Sequence, residues 1–339
     1  MSNINQPKTT VKLSNSIAPD ADEGKIRFLE ALGLRYAYTW KRSCLTAAYE
    51  ELARLHDGLA RHGITLYNAG DYKLAKSANI ILGTPERDRD IEGMAEVLRT
   101  LARLGVYNTT FTWEADLVWS SGSTTTRGGC KTRYCDENDL LSREMTRGRV
   151  YTKDELWETF DYYMKRIIPV CEETGVRLAL HPNDPPMPMI AGVACLITSA
   201  EDYRRAFAIA DGYRTKTTGR PPLGMEFCCG CWLEGGGFRN ITDAIREFVH
   251  DGRVIITHLR NIDAPLPRFT ETFLNDGYGD MLNLVETFCE AGYDGTMIYD
   301  HSPVLREGEG GYAETAYSVG YIQALLLAAQ RNLERKKNV

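Results

Sequence analysis

No stretch of this 339-residue sequence approaches the ~18 to 20 consecutive apolar residues that span a bilayer, and no signal-peptide segment begins it. Positive charge is not in surplus either: 40 Lys and Arg against 46 Asp and Glu give a formal net charge of −6, with a pI near 5.7. These absences argue against a membrane protein and against a protein that binds nucleic acid or anionic membranes. We therefore expect a cytoplasmic protein.

The sequence also lacks the cysteine pattern of a disulfide framework. Its nine cysteines are an odd number, and Cys228, Cys229 and Cys231 are crowded into one short segment. This pattern favours a reducing compartment, where cysteines remain thiols or bind metal. The content of 43% hydrophobic and 10% aromatic residues is ample for a sizeable core, so neither disorder nor a disulfide-stapled mini-fold is needed.

No linker divides the sequence, and its only rhythm is an alternation of short β-rich runs with longer amphipathic stretches, which is typical of parallel βα units. The predicted strands are 10–13, 34–40, 64–68, 106–113, 176–181, 223–228, 254–258 and 296–300. The predicted helices are 22–31, 45–62, 91–104, 153–174, 200–210, 241–250, 280–291 and 313–331.

Strands and helices alternating in this way predict an α/β fold, a (β/α)8 TIM barrel that forms a single domain over residues 1–339. The first strand is short and partly polar, so an open sheet of seven strands is the alternative. The segment 114–150, after the fourth strand, is rich in Ser, Thr and Gly. It is typical of a lid or active-site loop, and the alternative is an excursion without a role.

Four predicted strands end in residues of the types that bind metals: His181, Cys228, His258 and Asp300. In a parallel barrel these ends converge on one rim, where catalytic sites assemble. Two imidazoles, a thiolate and a carboxylate hold a divalent transition metal and leave positions open for substrate oxygens; zinc, iron and manganese all suit them. Any one of these residues alone is more often a hydrogen-bonded structural group. Strand alternation points Cys228 and Cys229 to opposite faces, and periodicity does not say which reaches the metal.

Several short motifs resemble the mannonate dehydratase family of xylose-isomerase-like barrels in order and approximate spacing. They are His181-Pro182-Asn183-Asp184-Pro185-Pro186, Phe227-Cys228, Thr257-His258-Leu259-Arg260, Leu274-Asn275-Asp276, Gly279-Asp280-Met281 and Asp300-His301. The resemblance covers about 163–326, and the N-terminal part matches mainly in its βα rhythm. It implies a hydro-lyase that removes water from a sugar acid such as D-mannonate, giving a 2-keto-3-deoxy acid.

The resemblance also implies the metal site and its metal. It places the ligands on His181, Cys228, His258 and Asp300, with manganese as the usual metal, and zinc or iron as alternatives. It favours Cys228 over Cys229 because FCCGC here resembles the family's FCTGS.

An acid-base pair is implied in the same way. One member is His301, and the other is a tyrosine that best matches Tyr317, with Tyr312 as the rival placement. Which member acts as acid and which as base stays open.

Three positions depart from the family's pattern: Asn183 replaces an Asp, Tyr299 an Arg and Pro303 a second His. Such positions can contact substrate, so a different aldonic acid is an alternative substrate.

Three further residues are candidates for binding the substrate or supporting the site, and three aromatic residues for lining the pocket. Arg260 would clamp a substrate carboxylate, the alternative being an ion pair at the rim. Asp184 would accept from a ligand imidazole or cap a backbone amide, and Asn183 would contact substrate. Trp113, Trp119 and Tyr38 would wall the pocket or pack in the core.

Two other functions compete with the dehydratase. One is a metal-dependent sugar isomerase or epimerase of the xylose-isomerase-like group, and the other is a non-catalytic relative that binds sugar acids. The thiolate ligand and the HPxDPP motif favour the lyase, since isomerase sites usually favour carboxylates. We also expect a homo-oligomer, because barrel enzymes of this sort commonly self-associate.

Overall fold

Strands and helices alternate throughout the residues that the computed structural model describes, which are 9–41, 45–116, 118–216, 219–237, 240–305, 308 and 311–337. The strands are β1 (Lys12–Ser16), β2 (Tyr36–Lys41), β3 (Thr65–Asp71), β4 (Asn108–Thr112), β5 (Gly122–Thr125), β6 (Lys131–Asp136), β7 (Arg177–His181), β8 (Met189–Ile190), β9 (Val193–Ala194), β10 (Leu223–Cys228), β11 (Val254–Leu259), β12 (Asn261–Ile262), β13 (Arg268–Thr272) and β14 (Thr296–Tyr299). The α-helices are α1 (Glu23–Ala31), α2 (Tyr49–Arg61), α3 (Tyr72–Ala75), α4 (Ala78–Leu82), α5 (Arg87–Arg103), α6 (Glu137–Leu141), α7 (Lys153–Thr174), α8 (Ala200–Asp211), α9 (Cys229–Glu234), α10 (Ile241–His250), α11 (Met281–Glu290) and α12 (Tyr312–Lys337). Short 3₁₀ turns lie at Thr46–Ala48 and Arg127–Gly129.

Eight of these strands form one parallel sheet in the order β3-β2-β1-β14-β11-β10-β7-β4, which confirms the predicted barrel. The first strand pairs with both β2 and β14, and this excludes the open seven-stranded alternative. Side chains join the two edge strands: Asn68 Nδ2 donates to Thr110 Oγ1 at 3.2 Å, and Asn108 Nδ2 donates to the Tyr67 carbonyl at 3.2 Å. The ring of strands is therefore nearly closed.

Local sequence explains the best-defined elements. Every residue of β10 is buried, as expected for a parallel strand covered on both faces. Helix α7 begins with a capping box, in which the Thr152 side chain accepts from the Glu155 amide and the Glu155 carboxylate accepts from the Thr152 amide. It ends at Gly175, whose φ of 74° suits glycine. The prediction of a helix over 153–174 is confirmed.

The segment 114–150 is more regular than the loop that its composition suggests. It contains the hairpin β5–β6 and helix α6, and β6 pairs antiparallel with β13 in a second sheet of order β12-β13-β6-β5. Because β13 lies far along the chain, local composition gave no sign of this partner. Val118, from the same segment, lines the cavity described below.

A small separate cluster joins Ala179, Ile255 and Ile256, and one large hydrophobic cluster extends from Val11, before β1, to Ala329 in α12. Trp113 packs in it, with ring centroids 5.0 Å from Phe160 and 5.6 Å from Tyr163, and Trp119 lies partly buried against it. Both tryptophans therefore serve packing. Within the described residues, no helix has the length and apolar content needed to cross a membrane.

Candidate active site

The carboxyl ends of β7, β10, β11 and β14 bring together the four residues predicted from strand ends. One donor atom from each of His181, Cys228 and His258 lies within 4.8 Å of the other two. The fourth, Asp300, directly follows β14: its Oδ1 is 3.4 Å from His258 Nδ1, and its Oδ2 is 3.7 Å from Cys228 Sγ. Two imidazoles, a thiol and a carboxylate thus converge at one point on the barrel rim.

The orientation of the two imidazoles fits a cation at this point. His181 Nδ1 lies 2.7 Å from the Pro182 carbonyl, which leaves Nε2 for the contact with Cys228. His258 Nε2 contacts the Glu226 carboxylate. Among the described residues, His258 Nδ1 is buried 3.4 Å from Asp300 Oδ1 without a well-aligned hydrogen bond, and its lone pair is the one that a metal ion would use.

Glu226 is a site residue that the sequence analysis missed. It is buried on β10, two positions before Cys228, and strand alternation puts both side chains on the same face. That spacing was the available signal. Because Glu226 contacts one nitrogen of His258, it holds the ring so that the other nitrogen faces Cys228 and Asp300.

Electrostatics at the site favour a thiolate beside a cation. Burial raises the pKa of the Cys228 thiol, but the Cys231 hydrogen bond and the Arg260 charge outweigh it, so this pKa lies well below its ordinary value. Burial lowers the pKa of His258, yet the charges of Glu226 and Asp300 raise it well above its ordinary value. Metal ligands must be deprotonated, so a bound ion would take the place of such protons.

A cavity of about 410 Å³ opens over these residues. His181, Glu226, His258, Asp300 and His301 line it. Tyr38 and Trp40 of β2 line it as well, together with Tyr72 and Lys76 from the segment after β3. A pocket of this size, lined by both metal-binding groups and aromatic residues, suits a small polar molecule.

His301, the predicted proton-transfer residue, faces this cavity. Its Nδ1 is 3.1 Å from Glu271 Oε1, and its Nε2 is 3.2 Å from Asp300 Oδ1. Burial lowers the pKa of His301, but the charge of Asp300 and the Glu271 hydrogen bond together raise it.

The cavity lining does not include the tyrosines predicted as partners of His301. Tyr317 donates to Asn275 Oδ1 at 2.8 Å, and its ring packs 5.4 Å from Phe273. Tyr312 packs against Phe28, with ring centroids 4.5 Å apart. Two other tyrosines line the cavity, Tyr38 and Tyr72, and burial raises the pKa of Tyr38 to about 12, so its hydroxyl keeps its proton at neutral pH.

Arg260 lies beneath the cavity in a buried ion network, and this arrangement matches the ion-pair alternative to a substrate clamp. Its Nη1 is 2.7 Å from both Glu234 and Glu271, its Nη2 is 3.2 Å from Asp184, and its Nε is 3.1 Å from Asp300. The side chain has no exposed surface. Its donors are therefore committed to carboxylates of the protein.

Asp184 and Asn183 also differ from their expected contacts. The Asp184 carboxylate lines the cavity but bonds to Arg133 and Arg260, at 3.2 Å each, rather than to an imidazole or to a backbone amide. Asn183 is buried off the cavity, where its Oδ1 accepts from the Ile197 amide at 2.8 Å. It fixes the loop after β7.

The fold and the site thus define a xylose-isomerase-like (β/α)8 barrel with a metal-type donor set at its rim. A solved mannonate dehydratase from Streptococcus suis serotype 2 matches with a TM-score of 0.81 at 20% identity, covering 95% of this chain and 96% of that chain. D-psicose 3-epimerase from Clostridium cellulolyticum H10 matches with a TM-score of 0.56 at 15% identity, covering 97% of this chain and 99% of that chain.

Sequence comparison gives the family. The profile of the D-mannonate dehydratase (UxuA) family matches residues 133–336, more than half of the 339. The mannonate dehydratase of Thermotoga maritima is 28% identical over 332 residues, 85% of this chain and 88% of the relative. Mannonate dehydratase 2 of Halalkalibacterium halodurans is 27% identical over 295 residues, which are 78% of this chain and 81% of the relative. The chain belongs to the D-mannonate dehydratase family and is a hydro-lyase that acts on a sugar acid.

Proposed function

We propose that this enzyme dehydrates D-mannonate to the corresponding 2-keto-3-deoxy acid, with a divalent metal held by His181, Cys228, His258 and Asp300. The observation that carries this proposal is the convergence of those four donors beside a cavity, in a chain of this family. Manganese is the metal we propose, and zinc and iron suit the same mixed ligand set.

The reaction removes the proton on the carbon next to the carboxylate and expels the hydroxyl of the following carbon. A divalent ion bound at the four donors would act as a Lewis acid that stabilises the developing enediolate. The protein holds these donors through Glu226, which orients His258, and Arg260, which contacts Asp300 and Cys228. Trp40 and Tyr72, whose rings meet edge to face at 6.3 Å, give the cavity an aromatic wall.

Proton transfer is assigned to His301, which lies on the cavity. The second proton-transfer group is a tyrosine. The family resemblance points to Tyr317, and the cavity lining points to Tyr38, whose hydroxyl stays protonated at neutral pH and suits a general acid.

The remaining parts of the proposal concern the protein's surroundings. The segment 114–150, which contributes Val118 to the cavity, serves as its lid. All eight cysteines in the described part of the chain are free thiols, which supports a cytoplasmic location. We propose a homo-oligomer as for other barrel enzymes, and light scattering would measure its size.

The decisive experiment is incubation of the manganese-loaded protein with a panel of aldonic acids that includes D-mannonate. We expect a 2-keto-3-deoxy product and no turnover by His258→Ala, which should lose its metal while staying folded. A product that retains all oxygens of the substrate would instead favour the isomerase or epimerase alternative, which the barrel's likeness to the epimerase supports. Stoichiometric metal in His258→Ala would refute the ligand set.

A further inference from the structure

A second cavity, the basal cavity, has a volume of about 150 Å³ and lies at the amino-terminal end of the barrel strands. Arg177 begins β7 and Pro222 directly precedes β10, and both line this cavity. The same two strands end at His181 and Cys228, so the candidate active site is at the other end of the barrel. The volume corresponds to roughly five water molecules, at about 30 Å³ each, which suits a small ligand.

Positive charge dominates the lining of the basal cavity, although the whole chain carries a net charge of −6. Its four cationic side chains are those of Arg177, Arg214, Lys216 and Arg220. The lining includes one carboxylate, that of Glu172, which accepts from the backbone amides of Thr215 and Lys216 at 3.1 Å and 3.0 Å. A local surplus of positive charge of this kind attracts anions.

The carboxylates next to the basal cavity are already engaged by cations of the protein. Asp211 Oδ1 is 3.5 Å from Arg214 Nη1, and Asp211 Oδ2 contacts Arg253. Asp294 contacts Arg220. One carboxylate therefore serves two guanidinium groups, and the other serves a third.

Arg177 is placed with one nitrogen left for a ligand. Its Nε donates to the Pro221 carbonyl at 2.8 Å, and its Nη2 donates to the Gly252 carbonyl at 2.6 Å. These two bonds fix the guanidinium and do not use Nη1. In the part of the chain that the structure describes, Arg177 has no carboxylate within ion-pair distance, unlike Arg214 and Arg220.

The surroundings of Arg177 disfavour its positive charge. Burial is the main cause that lowers its pKa to about 10, and the charges of Arg220 and Arg253 lower it further. The charge of Asp294 acts in the opposite direction and does not outweigh them. Because Arg177 stays protonated at neutral pH, an anion bound beside it would be stabilising.

Arg214 brings a second donor to the basal cavity. Its side chain is only 17% exposed, and its Nε is buried with no hydrogen-bond partner among the described residues. A buried donor without a partner is unfavourable, and an oxyanion in the cavity would satisfy it.

We propose that the basal cavity binds phosphate, as the free ion or as the phosphate group of a sugar phosphate, through Arg177, Arg214 and Arg220. Planar guanidinium groups bind phosphate oxygens through paired hydrogen bonds. Lys216, whose Nζ donates to the Glu172 carbonyl, adds positive charge at the rim. The inference is independent of the reaction at the other end of the barrel.

The test is calorimetric titration of the manganese-loaded protein with inorganic phosphate, at an ionic strength kept constant with chloride. We expect saturable binding. Arg214→Gln should weaken it about 10- to 100-fold, because one charge-assisted contact is lost. Arg220→Gln, at a more exposed position, should weaken it as well. Arg177 is left unchanged, because its bonds to two backbone carbonyls also support the fold.

Arg246→Gln is the matched control. Arg246 contacts Asp243, three positions before it, just as Arg214 contacts Asp211, but it does not line the basal cavity. Phosphate affinity in this variant should equal that of the unaltered protein. Titration heats that do not saturate, or equal affinities in Arg214→Gln and Arg246→Gln, would overturn the assignment.

Two further titrations locate the anion and identify its source. Removal of manganese with a chelator should leave the affinity unchanged, and binding that disappears with the metal would place phosphate on the ion and refute the basal site. D-glucose 6-phosphate is then compared with inorganic phosphate. Tighter binding of the ester supports a phosphorylated metabolite as the ligand, and binding that is no tighter supports the free ion.

These titrations do not require turnover. If the protein dehydrates no aldonic acid, the proposed function fails while the basal site is still tested by the same variants.

Discussion

At the scale of single residues, the site depends on how ring nitrogens and thiols are oriented. His258 turns its Nδ1 toward Asp300 and the proposed metal position because Glu226 contacts its Nε2. Cys228 faces Arg260 and Asp300, whereas Cys229 is buried elsewhere, with its pKa raised by burial. These contacts decide which atoms are able to bind a cation.

Replacing Glu226 with Gln tests this orientation. We expect manganese affinity to fall about 10- to 100-fold, because partners that orient a histidine ligand typically contribute that much. A competition titration with a coloured chelator measures it. Glu158→Gln, an exposed change on α7, should leave the affinity as it was. Equal affinities in the two variants would mean that Glu226 plays no part in holding His258.

A second residue-scale prediction separates the candidate tyrosines. Tyr38→Phe should lower kcat by about 10²- to 10⁴-fold, the range for loss of a general acid or base, because Tyr38 lies on the cavity. Tyr317→Phe removes only the hydrogen bonds to Asn275 and Arg127 and should change kcat little. Steady-state assays at saturating substrate measure both, and the reverse ranking would favour the tyrosine that the resemblance suggests.

At the scale of elements, the loops and short helices after the barrel strands build the cavity and its support. Helix α9 approaches the Arg260 side chain at Gly230, where a Cβ atom would lie 2.3 Å from Nε. The hairpin β5–β6 brings Arg133 to the same network from outside the barrel. The ion network under the metal position therefore joins three separate parts of the chain.

Gly230→Ala tests that close approach. The added methyl should displace Arg260 from Glu234 and Asp184 and lower the free energy of unfolding by about 3 kcal/mol or more, because buried carboxylates lose their partner. Denaturant titration measures it. Gly320→Ala is the control: this glycine of α12 has open space around it, and alanine there should stabilise by up to about 1 kcal/mol.

The hydrogen bond from Ser77, which caps α4, to Asp90 of α5 makes stability depend on pH. Burial raises the pKa of Asp90, but hydrogen bonds from Ser77, Asn79 and Arg89 outweigh it and hold that pKa below its ordinary value. A lowered carboxyl pKa stabilises the fold above the unfolded-state pKa of about 3.9 and stops doing so as pH falls through the folded-state pKa. Asp90→Asn should therefore lower the free energy of unfolding by about 1 to 2 kcal/mol at pH 7, and by progressively less below about pH 4.

Urea titrations of the unaltered protein and of Asp90→Asn, from pH 7 to below about pH 4, measure the difference in the free energy of unfolding. A constant difference at every pH would show that charge is not involved.

At the scale of the whole molecule, four βα units meet at the proposed metal position, so ligand binding and stability are linked. The last residues of β7 and β10, the last but one of β11 and the residue that follows β14 contribute the donors. An ion that binds only the folded chain stabilises it by mass action.

Manganese at about 100 times its dissociation constant should raise the free energy of unfolding by about 2.7 kcal/mol, seen as a higher melting temperature that a chelator reverses. His258→Ala should show no such rise. An equal rise in that variant would place the ion elsewhere.

The sequence by itself determined the eight barrel strands and the strand-end donors, because hydrophobic periodicity is local and parallel strands of a barrel deliver their carboxyl ends to one rim. Only the tertiary structure decided that Arg260 is buried among Asp184, Glu234 and Glu271, and that Tyr38 rather than Tyr317 lies on the cavity. These contacts join residues far apart in the chain, and the pairing of β6 with β13 is of the same kind. Long-range contacts depend on how all the elements pack together, and no local pattern of residue types encodes that.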